Sequence, residues 1–200
     1  IVAEVAEVIV ANKAYLSEID GLIGDGDHGI NMAKGFGRAA ERISGKSLSL
    51  DEAMSVLSDV LMSEIGGSMG PLYGFMFQEM ATTVQGRPAI DADGFSAVLN
   101  AALEGVLRTG SAKVGDKTLI DTLVPAVEAF DGAKSQGFVA ALAAMRKAAE
   151  QGRDSTIDLV AKIGRASRLG ERSRGVLDAG ATSCCLILVA LADSLEKRLG

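Results

Sequence analysis

Three carboxylates crowd one short stretch, DGLIGDGDHGINM at residues 20–32, where Asp20, Asp25 and Asp27 alternate with Gly21, Gly24, Gly26 and Gly29. At about 5 Å and an effective dielectric near 20, each ionised pair costs roughly 3 kcal/mol. Glycines supply sharp turns there but no apolar packing. A purely structural loop has little use for that combination, so the pattern points to a bound cation. Hard oxygen donors without cysteine suit Mg2+, which takes one or two carboxylates, waters and substrate phosphates. A bound metal turns a repulsive loop into a platform for polyphosphate. Solvated turn carboxylates that merely cap the next helix explain one Asp-Gly pair well and three crowded Asp poorly.

Three simpler motifs fail on inspection. GDGDHG at 24–29 fits the dinucleotide pattern G-x-G-x-x-G, but no strand precedes it, and Asp25 and Asp27 would repel a pyrophosphate. GKS at 45–47 resembles the end of a P-loop, yet Ala40 stands where its first glycine belongs. An EF-hand begun at Asp25 would need an oxygen ligand at Gly29, glycine at Ile30 and glutamate at Phe36.

Three further segments carry polar chemistry. GGSMGPLYG at 66–74 offers closely spaced backbone N–H groups and the Ser68 hydroxyl at a helix start, a nest suited to phosphate oxygens. VGDKTLIDTLVPA at 114–126 places Asp116, Lys117, Thr118 and Asp121 at another helix start; by residue type alone this reads as a capped, solvated turn. The stretch 162–183 concentrates Lys162, Arg165, Arg168, Arg172 and Arg174 in an otherwise acidic chain, where cations can face phosphates or an acidic partner. His28, the single histidine, adjoins the Asp cluster. It can contact phosphate, act as acid or base, or orient Asp27, and all three roles stay open. No Ser-His-Asp pairing follows from the spacing, and no protein nucleophile stands out.

The elements that position these residues read as helical nearly throughout. Apolar residues Val2, Val5, Ile9, Leu16 and Ile19 share one face over 1–19. Further helices are expected at 31–44, from Ser49 to Ile65, from the 66–74 loop to Val84, and at 93–109, 117–132, 135–151, 155–165 and 180–199. SLDE at 49–52 is a capping box, with Ser49 as N-cap and Glu52 reaching back. Short Gly-bearing turns between eight or nine such helices imply antiparallel up-and-down packing within one domain spanning 1–200. If direction alternates, the 20–31, 66–74, 110–118 and 165–180 connections meet at one end.

A net charge of −6 argues against nucleic acid or an anionic membrane surface as partner. The adjacent Cys184 and Cys185 cannot build a disulfide framework, and as part of the apolar run SCCLILVALA they read as buried thiols. That run is too short to span a bilayer, and no charged-then-apolar leader is visible, so a cytoplasmic protein is the expectation.

Together the four segments, in this order, resemble the nucleotide-binding L subunit of dihydroxyacetone kinase, also found as the C-terminal domain of single-chain, ATP-dependent kinases. The resemblance covers nearly the whole chain. It implies an antiparallel eight-helix barrel with the nucleotide site at one end. It further implies that Asp20, Asp25 and Asp27 bind two Mg2+ ions holding the diphosphate of ADP or ATP. His28, Gly29, Ile30 and Asn31 would line the nucleotide with Ser68 and Met69. Gly115 and Val124 fall at adenine-side positions, while Arg165, Asp178, Ala179 and Gly180 close the site. In such systems a separate K subunit holds the ketose covalently, and in one branch a phosphotransferase-system M subunit recharges the bound ADP. The chain would thus be a kinase subunit active only with its partner; an ADP-Mg regulatory module that signals through a protein partner is the alternative, and a homodimer stays open. One departure stands out: where the family often reads GHxDPGATS, this chain has Val176 for the His and Ala179 for the Pro in GVLDAGATS. A related ketose, such as an erythrulose, therefore stays open as the substrate.

Overall fold

The computed structural model describes residues 1–199. Its α-helices are α1 (Val2–Ala11), α2 (Lys13–Ile23), α3 (His28–Ile43), α4 (Leu50–Glu64), α5 (Met69–Val84), α6 (Ala92–Thr109), α7 (Ile120–Ala133), α8 (Phe138–Ser155) and α9 (Ala179–Leu199). Two 3-10 segments, Lys134–Gln136 and Arg165–Ser173, complete the regular structure, and no strand occurs among the described residues.

Local chemistry sets most boundaries. Ser49 and Glu52 form the expected capping box, the Ser49 N–H donating to Glu52 Oε2 at 2.8 Å. Asp91 caps α6 by accepting the Gly94 N–H at 2.8 Å. The single helix expected over 1–19 is two. Asn12 turns its side-chain amide onto the Val8 carbonyl at 2.8 Å, the local competition that interrupts helices at such residues. Helix α3 starts at His28 rather than 31 because its first N–H finds a partner in α2: the His28 N–H donates to Asp20 Oδ2 at 3.2 Å. The helix expected over 155–165 is absent. Instead, turns lead into the 3-10 segment, with Gly164 at φ 74° and Gly170 at φ 54°, left-handed conformations that an α-helix cannot include. Buried Ser173 ties this segment down, accepting the Ala161 N–H at 2.9 Å and donating to the Gly170 carbonyl at 2.6 Å.

Each helix from α3 onward packs on its neighbour in the chain, and α9 returns against α1, α2, α7 and α8. Short connections between packed neighbours make successive directions alternate. The core is aliphatic with two aromatic nodes, Phe36 on Phe77 edge to face at 5.8 Å between centroids and Phe95 with Phe130 and Phe138. Each of those rings buried contributes about 1.5–3 kcal/mol. Helix α9 corrects the expectation of a short apolar run. Its 21 residues are long and apolar enough to cross a membrane, but 72% of that window is buried among the other helices.

Gly29 sets the site's foundation. A Cβ there would stand 2.0 Å from the Lys13 carbonyl and 2.6 Å from Ser17 N, so only glycine lets the first turn of α3 lie against α2. That contact holds His28 and the carboxylate loop in place.

Candidate functional site

The loop between α2 and α3 brings the three carboxylates together. Asp20 sits in the last turn of α2, Asp27 at the N-cap of α3 and Asp25 between them, just before a left-handed Gly26 at φ 76°. One oxygen of each lies within 4.8 Å of the others. The Arg165 guanidinium reaches across to pair with Asp25. One cation facing three carboxylates leaves the cluster in excess negative charge. The donors are all hard oxygens and the group is partly open to solvent, so the residues fit a divalent cation such as Mg2+.

Next to this cluster opens a cavity of about 850 Å³, within the range of small-molecule sites. All four connections singled out above contribute to it: 20–31, 66–73, 109–120 and 163–180. Asp20, Asp25, Asp27, His28 and Asn31 line it, as do Ser68, Met69, Arg165, Asp178, Ala179 and Gly180. Gly29, Ile30, Gly115 and Val124 do not. Gly29 is buried against α2, Ile30 points outward at 51% exposure, and Val124 packs against the core from the second turn of α7. Gly115, at φ 93°, spends its N–H on Asp121 Oδ1 at 2.5 Å.

The remaining lining was not legible from motifs. Leu72, Val106, Leu107, Ala112, Leu119 and Ile163 contribute an apolar wall. Leu107 and Ile163 are 45% and 37% exposed, large apolar residues beside Gly-bearing turns; that placement is the only signal the sequence offers. The pocket thus has a charged end, a run of backbone N–H groups at Gly66–Ser68, and an apolar slot.

The 113–121 loop departs from the expected solvated turn. Asp116, Lys117 and Asp121 are only 4%, 2% and 2% exposed. Asp121 accepts the Thr118 N–H at 2.7 Å, and Asp116 accepts that of Lys113 at 3.0 Å. Lys117 adopts φ 62°, and its Nζ donates to the carbonyls of Thr156 and Val176, clamping both ends of the 156–178 segment. Burial lowers its pKa, with Asp178 opposing that shift. Asp178 caps α9 through the Ala181 N–H at 2.7 Å; burial pushes its pKa up to about 6, while that N–H and Lys117 hold it down.

His28 is buried at 7% exposure, which drives its pKa down to about 4 against the attraction of Asp20, so the ring is neutral at pH 7. Its Nε2 lies 2.8 Å from Ser183 Oγ, which in turn lies 2.6 Å from the Tyr73 hydroxyl. Tyr73 donates to the Gly180 carbonyl at 3.0 Å, and burial raises its pKa well above the usual value.

A family model described as the DAK2 domain matches residues 22–193, most of the chain. The chain belongs to the DAK2 domain family. Among its relatives is the ADP-binding subunit DhaL of PEP-dependent dihydroxyacetone kinase 1 from Listeria innocua. The two are 40% identical over 186 residues, covering 92% of this chain and 89% of that one. The corresponding Escherichia coli subunit is 36% identical over 93% of this chain and 90% of its own. The L-erythrulose kinase of Pectobacterium atrosepticum is 35% identical over 96% of this chain, which spans only 33% of that longer protein. In solved structures, the dihydroxyacetone kinase of C. freundii superposes with a TM-score of 0.74 at 25% identity, covering 96% of this chain and 33% of that one. The same enzyme crystallised with AMP-PNP and Mg2+ matches at a TM-score of 0.70 and 23% identity, a shared fold.

Proposed function

We propose that this chain is the nucleotide-binding, phosphoryl-transferring subunit of a kinase for dihydroxyacetone or a related ketose, working with a separate K subunit that holds the ketose. The observation that carries this reading is the convergence of Asp20, Asp25 and Asp27 at the polar end of a cavity with an apolar slot. The ADP-binding subunits among its relatives support the choice of nucleotide. The eight-helix barrel, with α1 and α2 as one broken stave, is the matching architecture, and its support is the return of α9 against α1.

In this reading Asp20, Asp25 and Asp27 hold two Mg2+ ions, and the metal-nucleotide complex supplies the phosphoryl group together with neutralisation of its charge. Arg165 and the N–H groups of Gly66–Ser68 orient phosphate oxygens, and the apolar wall takes the base and excludes water. The chain itself needs no nucleophile. Cys184 and Cys185 are buried thiols, Cys185 pushed up to about 11 by burial, and neither lines the cavity. The acceptor hydroxyl therefore comes from outside, on the partner. Whether ATP exchanges or a phosphotransferase M subunit recharges bound ADP depends on that docking.

Isothermal titration should show Mg2+-dependent ADP binding that Asp25→Asn abolishes. With a purified K subunit, labelled phosphate should reach dihydroxyacetone; without one, little or none should. Tight binding with no transfer in the complete system would replace this reading with that of an ADP-Mg regulatory module.

A further inference from the structure

The 156–178 segment is bonded mainly to itself. The Gly175 N–H donates to the Ile157 carbonyl at 2.7 Å, the Ala161 N–H to Ser173 Oγ at 2.9 Å, and the Arg174 guanidinium to the Asp158 carbonyl. Residues 157–161 and 173–175 thus run side by side as the two sides of one arm. Beyond its chain neighbours, and apart from packing on α2, the hydrogen bonds and ion pairs of this arm reach three of the described residues. Asp116 takes the Lys162 N–H on its carbonyl at 3.1 Å and the Lys162 ammonium on its carboxylate at 3.5 Å. Lys117 donates to the carbonyls of Thr156 and Val176, one on each side of the arm. Asp25 pairs with Arg165, the one cation of the arm that lines the cavity. Two adjacent residues, Asp116 and Lys117, therefore form the root.

Lys117 holds that root under constraint. It is 2% exposed, and among the described residues it is the only non-glycine with a left-handed backbone. A buried ammonium persists only where polar partners replace its water, and both of its hydrogen bonds go to the arm. The Lys162 ammonium is 59% exposed, so its ion pair contributes little beside them. Without Lys117, the arm keeps its internal bonds, but one backbone bond and exposed ion pairs are left to orient it. Arg165 lies three residues past Lys162, across Gly164 at φ 74°, so a turn about the root displaces the guanidinium.

We propose that Lys117 is a positioning residue: by rooting the arm it fixes Arg165 against the carboxylate loop, where the guanidinium meets a nucleotide phosphate and retains it. The root stands on the bonds alone; phosphate as the target of Arg165 rests on the phosphoryl-transfer reading.

Amide hydrogen exchange followed by NMR on the ligand-free full chain tests the root. Lys117→Met keeps the unbranched stem and removes the donors. In this variant the Lys162 N–H should lose its protection, while the Ala161 and Gly175 N–H groups keep theirs. Protection unchanged at all three, or lost at all three, overturns the proposal. Should Lys117→Met not fold, Lys117→Gln, which keeps a shorter and uncharged donor, carries the same measurements. Calorimetry with Mg-ADP tests the action through Arg165. Arg165→Gln should weaken binding about tenfold and Lys117→Met about fivefold, with the double variant within about twofold of Arg165→Gln alone. A double loss near the product of the two, or a Lys117→Met protein that binds as tightly as wild type, overturns it. A wild type that binds no Mg-ADP sinks the kinase reading, and the three amides still decide the root.

Discussion

The two ends of the helical assembly are built on different principles. At the end away from the cavity, connections 44–49 and 85–91 are held by short-range chemistry, with the Ser49–Glu52 box and the Asp91 cap satisfying their own helices, and Lys134 adds a cross-helix tie to Asp93 and Ser96. At the cavity end the bonds span the chain: His28 to Ser183, Tyr73 to Gly180, Lys117 to Thr156 and Val176, and Arg165 to Asp25. Local bonds make an end that tolerates change piece by piece. Long-range bonds make an end whose parts hold one another in place, at the cost of burying a lysine and crowding carboxylates.

Substitutions can break or sharpen that contrast. The largest effect is expected from Asp27→Asn, which should weaken Mg2+-dependent ADP binding about a thousandfold, about 4 kcal/mol, by calorimetry. The same variant should raise the metal-free melting temperature, because it relieves like-charge repulsion; a fall would show that the cluster is structural. Gly29→Ala should lose about 3 kcal/mol of stability in urea, since its methyl would collide with the Lys13 carbonyl and overpacking against backbone cannot relax cheaply. A pH effect follows from Asp178, whose pKa rises from 3.8 to about 6 on folding. A raised carboxyl pKa stabilises the fold below about pH 4, and that contribution is lost as pH rises through about 6. Relative to Asp178→Asn, the wild type should therefore lose about 2 kcal/mol between those limits, a figure reduced for the residue's partial exposure. Smallest is Ser49→Ala, about 1 kcal/mol in unfolding free energy with nucleotide affinity unchanged.

Legibility in the sequence followed the same division. Helices whose ends carry their own signals, such as Ser49 with Glu52 or Gly66-Gly67, were readable to within a residue or two. So was the carboxylate cluster, because three Asp among glycines is an electrostatic anomaly in any fold. The 155–165 helix failed because helical periodicity was outweighed by Ser173, Gly164 and Gly170, which matter only once the segment is folded back. Lys117 looked solvated because nothing local reveals carbonyls supplied 39 and 59 residues away. The apolar wall was hidden for a related reason: Leu72, Leu107 and Ile163 come from three separate elements, and no spacing links them.

The start of helix α9 supplies Asp178 as its cap, the Gly180 carbonyl and Ser183 within about a turn and a half. An α-helix rotates about 100° per residue, so adding or deleting one residue between Asp178 and Ser183 would swing the serine away from His28. The preceding 156–178 segment is gripped at both ends by Lys117 and tied inside by Ser173 and Arg165, but none of these bonds sets an α-helical phase. Length variation should thus accumulate ahead of Asp178 and stop abruptly there, a frame that insertion scanning can trace one codon at a time.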